Sequence, residues 1–159
     1  MAENSKIGKF LTGNSSRLLS LGIFLLRGTV GVILFVIGAG KVMGWFGGHG
    51  LAPTVQVFVT KLGIPAPLAY LSCFTEFLGG FLLLVGFLTR PAAFAVMINM
   101  LVATKVTWPS GFFTGQAAYP FTLMMSAIVI LIAGPMAISL DSLLFRPPKS
   151  PAVIDKSPV

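Results

Sequence analysis

Charge is what this chain has least of. Four Asp and Glu stand among 159 residues, and charged residues of both signs make up 9%. A typical soluble domain carries roughly 25%. So few charges cannot cover a surface that faces water, which excludes an ordinary soluble fold. Cysteine occurs once, as Cys73, so an intrachain disulfide and a CxxC motif are both ruled out. Histidine also occurs once, as His49, so the chain alone offers neither a multi-histidine metal site nor a bis-histidine haem site. Metal binding is therefore not expected, nor is a covalently attached cofactor.

What is present is apolar. Hydrophobic residues make up 55% of the chain and gather in four long blocks, about 18–43, 66–88, 91–107 and 119–140. Helices of these lengths extend roughly 26–39 Å at 1.5 Å per residue, the range needed to cross a bilayer. The first block is too long for a signal-peptide core and reads as a spanning helix. The expected fold is an all-α integral membrane four-helix bundle over residues 18–140. It is built from two helical hairpins, with a polar tail over 1–17 and a Pro-rich basic tail over 141–159. Pro67 and Pro120 fall in expected first turns, where a missing N–H costs nothing. Between the first two blocks, Thr54–Leu62 is too short to span and suits an interfacial helix.

The net charge of +7 comes from bases spread over tails and helix ends, without a long basic run. Membrane lipid is the expected partner and nucleic acid is not. With four crossings, Lys6, Lys9, Arg17, Arg90, Arg146, Lys149 and Lys156 lie on one side. Lys41, Lys61 and Lys105 lie on the other. The excess of bases on the tail side places both termini in the cytoplasm. Trp45, Trp108, Tyr70 and Tyr119 all fall at outer helix ends, where amphipathic rings prefer the interface.

Polar groups at membrane depth carry the functional signal. Arg27, Gly31, Leu34, Gly38 and Lys41 share one face of the first helix. Ser72, Glu76, Gly79, Leu83, Gly86 and Arg90 follow the same trend on the second. A lone charge in hydrocarbon is costly, and Arg27 and Glu76 lie at similar depth when measured from the centres of their blocks. They are expected to pair across the interior. Such a pair serves either to fix which helices face each other or to hold a ligand, ion or proton. Glu76 is the candidate proton-exchanging residue. Asn99, central in the third block on a face with Ala92, Ala95 and Ala103, is expected to hydrogen-bond across the bundle. Lys41, His49, Lys61 and Lys105, with Trp45 and Trp108, are expected around an outer opening beneath the first outer loop. The candidate ligand-binding set is thus Arg27, Lys41, Glu76, Asn99, Lys105, Trp45 and Trp108.

The segment Glu76-Phe77-Leu78-Gly79-Gly80 through Gly86-Phe87-Leu88-Thr89-Arg90-Pro91 resembles the DoxX family of small four-helix membrane proteins. Arg27 with Gly31, Lys41, and the late Gly134-Pro135 and Ser139-Leu140-Asp141 add to the resemblance, which covers about residues 17–141. Met136 departs from the Gly-Pro-Gly that often closes the last helix in that family. The resemblance implies the bacterial inner membrane and a link to redox systems, with Arg27 and Glu76 as the embedded charges. The leading expectation is a membrane subunit that supports a redox system and binds quinone or another lipid-like ligand near Arg27 and Glu76. The alternatives are a non-catalytic membrane anchor or assembly factor, and a small-molecule transporter that works as an oligomer. A redox-enzyme or other protein partner and a homo-oligomer are expected accordingly.

Overall fold

A computed structural model describes residues 16–113, 116–135 and 139–144. Most of the two expected tails lies outside the described residues, as does Met136. Among the described residues the chain is all helical: α1 (Ser16–Met43), α2 (Leu51–Leu62), α3 (Ala66–Val85), α4 (Thr89–Thr107), α5 (Ala118–Ala133) and α6 (Leu140–Leu144). The segments 18–43, 66–85 and 89–110 are long and apolar enough to cross a membrane, and α5 is apolar but shorter. Pro53, Pro67, Pro91 and Pro120 all sit in the first turns of their helices, where the amide has no intrahelical partner to lose.

Several boundaries differ from those expected. Helix α3 stops at Val85 because Gly86 takes a left-handed conformation (φ 74°) that ends the helix. Helix α4 starts at Thr89, before Pro91, and α5 stops at Ala133, ahead of Gly134 (φ 74°) and Pro135. Residues 141–144, expected in the tail, belong to α6.

Helices α1 and α3 make the most extensive packing, followed by α4 with α5. Glycine sets the α1–α3 approach. A Cβ on Gly38 would collide with the backbone of Phe77, one on Gly80 with the backbone of Phe35, and one on Gly31 would stand 2.7 Å from the Leu84 nitrogen. These three contacts share one antiparallel register, in which each step forward along α1 matches a step back along α3. Gly79 faces the other way, against Val96 of α4. Leu34, Leu83, Val96, Met100, Leu123 and Ile130 fill the core between the four long helices. Helix α2 lies against α3, with Val55 as its buried residue.

Candidate functional site

The register decides which charges meet. Gly38 packs at the level of Glu76 and Phe77, so Lys41, one turn further along α1, reaches Glu76. Its Nζ stands 2.6 Å from Glu76 Oε2 and 2.8 Å from Oε1. Asn99 Nδ2 of α4 donates to the same Oε1 at 3.4 Å. Glu76 is 5% exposed, whereas the Lys41 side chain is 25% exposed. The Lys41 ammonium also lies 5.4 Å from the centre of the Phe58 ring, a cation–π contact from α2.

This cluster borders a cavity of about 880 Å³. Phe58 and Leu62 of α2, Leu68 and Leu71 of α3, and Phe94, Ile98 and Val102 of α4 give it apolar walls. Several of these are also exposed on the outer surface of the helices, Leu71 by 62% and Phe94 by 54%. The cavity therefore reaches the surface between α3 and α4, where a membrane protein meets lipid. Besides the ion pair and Asn99, Ser72, Thr75, Thr107, Gln116 and Tyr119 supply polar groups to its lining. A volume of this size suits a molecule of several hundred daltons that is mostly apolar with a few polar atoms.

The expected Arg27–Glu76 pair does not form. Arg27 packs over Gly86, ten residues beyond Glu76 and roughly 15 Å along the helix direction. There it donates to the Pro135 carbonyl at 3.3 Å and lies 5.7 Å from the centre of the Phe24 ring. The expectation measured depth from the midpoint of each apolar block. The tight glycine contacts instead fix a register that carries Arg27 to the opposite end. Arg27 is only 2% exposed, so it is buried as expected but among different partners.

Asp141 organises that opposite end. Its carboxylate accepts from the amides of Leu88 and Thr89, both at 2.8 Å, and its own amide donates to the Gly86 carbonyl at 3.0 Å. Leu88 adopts a left-handed conformation (φ 49°) and offers no side-chain cap. Asp141 thus supplies from a distant segment the cap that α4 lacks, and its negative charge suits a helix N-terminus. Burial pushes the Asp141 carboxyl up, but the Thr89 and Leu88 amides and the Arg27 charge outweigh it and hold the group below its ordinary value.

Of the candidate ligand-binding residues, the structure gathers Lys41, Glu76 and Asn99 at the cavity. Arg27 lies at the far end, and Lys105, Trp45 and Trp108 are exposed and do not line it. His49 is exposed, and Cys73 is buried beside α3's ion-pair face. Among the described residues no group of three His, Cys, Asp or Glu is placed to hold a metal. Sequence reasoning missed Phe58, Leu62, Thr75 and Gln116. The 3–4 spacing of Val55, Phe58 and Leu62 is the signal that marks the inward face of α2.

The DoxX family model matches residues 22–109, and the chain belongs to this family. It is a multi-pass membrane protein. Its relatives include a Bacillus subtilis protein named "Putative oxidoreductase CatD", 31% identical over 82% of this chain and 92% of the relative. They also include the "Inner membrane protein YqjF" of Escherichia coli, 29% identical over 80% of this chain and 95% of the relative. No solved structure matches the chain significantly.

Proposed function

We propose that this chain is a membrane subunit supporting a redox system, and that it holds a quinone or another lipid-like molecule in the cavity beside Lys41, Glu76 and Asn99. It is a multi-pass protein of the bacterial inner membrane, with an inner-membrane relative and an oxidoreductase-named one. In this reading all four long helices cross the bilayer as two hairpins, with both termini in the cytoplasm. The excess of bases at the tails and at Arg90 supports that orientation. Lys41, Glu76 and the cavity then lie in the outer half of the membrane.

The observation that carries the reading is the meeting of a hydrogen-bonded ion pair with a large apolar cavity that reaches the lipid-facing surface. A quinone combines an apolar body with carbonyl acceptors. Asn99 and Lys41 bring N–H donors to the cavity for such a carbonyl, and Glu76 is the group able to give or take a proton beside it. The apolar walls receive the body and tail. Electrons come from a partner in this reading, since the chain carries neither a bis-histidine haem ligand pair nor the cysteines of an iron–sulfur cluster.

Mild purification of the native protein, followed by mass spectrometry of its bound lipids, tests the proposal. Quinone enriched over its share of the membrane, and depleted in Lys41→Met, is the expected result. Recovery of bulk phospholipid alone would sink the ligand reading and leave a membrane anchor or assembly factor.

A further inference from the structure

Resting on the reading that this cavity holds a lipid-like ligand, the charges around it narrow the chemical class of that ligand. Among the described residues of its lining, Lys41 and Glu76 are the charged ones, and they neutralise each other in direct contact. The remaining polar groups are amides and hydroxyls, including Asn99, Gln116 and Tyr119. Arg27 is spent at the far end, and Lys105 lies off the cavity.

We infer that the cavity selects an uncharged amphiphile, one whose head is a neutral hydrogen-bond acceptor such as a carbonyl or ester, and rejects acidic and cationic lipids of the same chain length. The donor arithmetic supports this. Lys41 has three N–H donors, of which the two Glu76 oxygens take two. Asn99 has two, and its one contact with Glu76 is long at 3.4 Å. A neutral acceptor can use what remains without disturbing the ion pair. An anionic head gains from Lys41 but is repelled by Glu76 within the same cluster, so it enters only by displacing the carboxylate. A cationic head meets the mirror-image problem. Between walls that are mostly apolar, a displaced partner finds few polar groups to replace the one it lost, so displacement is costly.

The site's own charge should therefore be convertible. Glu76→Gln leaves Lys41 without its counter-charge and turns a neutral-selective cavity into an anion-selective one. Lys41→Gln leaves Glu76 and shifts the preference toward a cation.

The test uses three photoactivatable diazirine probes of one alkyl chain, bearing a methyl ester, a sulfonate or a trimethylammonium head. The two charged heads keep their charge at every working pH. The native protein in nanodiscs of a zwitterionic phospholipid is labelled with each, and the cross-linked peptides are located by mass spectrometry. The expected result is that the ester labels cavity residues such as Phe58, Leu71 and Phe94 at least about tenfold more than either charged probe, a difference of about 1.4 kcal/mol. In Glu76→Gln the ratio of sulfonate to ester labelling should rise about tenfold over that of the wild type. Equal or better labelling of the wild type by the sulfonate or the ammonium overturns the charge-class inference and leaves the cavity reading standing. Absence of cavity labelling by all three probes overturns both. Should Glu76→Gln fail to fold, Lys41→Gln gives the opposite arm. A Lys41→Gln protein that still favours the ester over the ammonium by the wild-type margin counts against the inference.

Discussion

Two basic residues on one inward face of α1 meet opposite fates. Lys41 pairs with Glu76 at the edge of a large cavity, and Asn99 reaches the same carboxylate from α4. Arg27 is closed in by backbone, over Gly86 and against the Pro135 carbonyl, close to an Asp141 that caps α4. Among the described residues, the polar contacts of Arg27 and Asp141 go mainly to main chain, and the geometry is that of a clasp holding the α3–α4 turn to the segment after α5. The Lys41 contacts go to side chains beside open space. Burial of a charge does not separate structure from function here, since Arg27 is the more buried of the two. What its partners are, and whether room remains beside them, does.

The change with the largest expected effect erases the comparison altogether. Gly38→Ala places a methyl group against the Phe77 backbone, and neither helix can yield locally because both contacting surfaces are main chain. The α1–α3 register must open or slip, carrying Lys41 away from Glu76 and Arg27 away from Gly86 together. A loss of about 3 kcal/mol is expected, read as a lower unfolding midpoint in detergent, along with loss of ligand. Gly28→Ala is the control, because nothing lies within 4 Å of its added Cβ. It should be neutral or slightly stabilising.

Asp141→Ala breaks one side only. It removes two charge-assisted hydrogen bonds from the start of α4 and the carboxylate near Arg27. About 2 kcal/mol of stability should be lost, discounted for partial solvent access. Ligand retained per folded molecule should stay the same, because the cavity lies at the other end. Asn99→Leu should do the reverse. Its hydrogen bond to Glu76 is long, so stability should fall by less than about 1 kcal/mol. Loss of a donor at the cavity should cut quinone retention about tenfold, measured by lipid mass spectrometry against wild type.

Much of this arrangement is legible in the sequence. The shared face of Arg27, Gly31, Leu34, Gly38 and Lys41 follows from helical spacing, and these residues do turn toward protein. The choice of partner for Glu76 does not follow from it. Depth measured from block midpoints favours Arg27, but register depends on which glycine touches which backbone, and Gly79 and Gly80 point to different helices. The start of α4 is hidden for a different reason. Leu88 looks unfit to precede a helix until Asp141, far along the chain, is seen to cap it. The cavity is the least legible feature, because α2 builds one wall from a Gly-flanked loop whose apolar face, Val55, Phe58 and Leu62, is short.

Acid titration gives the smallest effect at ordinary pH and sharpens the assignment of the clasp. The folded Asp141 carboxyl lies below its ordinary value, because the Thr89 and Leu88 amides and the Arg27 charge outweigh the cost of burial. The unfolded chain holds the proton more tightly than the folded one, so folding favours the ionised form. That contribution is complete above the unfolded value, about 3.9, and fades as the pH falls through the lower folded value. Between pH 7 and 5 the Asp141 contribution should stay constant. Below about pH 4 the wild type should lose its advantage over Asp141→Asn, a variant that carries no titrating group at this position. Unfolding midpoints of the two proteins, measured side by side in detergent, should therefore converge in acid. Because the difference between them cancels the other carboxylates, a gap that persists unchanged down to pH 3 would mean that the cap works through shape and neutral hydrogen bonds, without its charge.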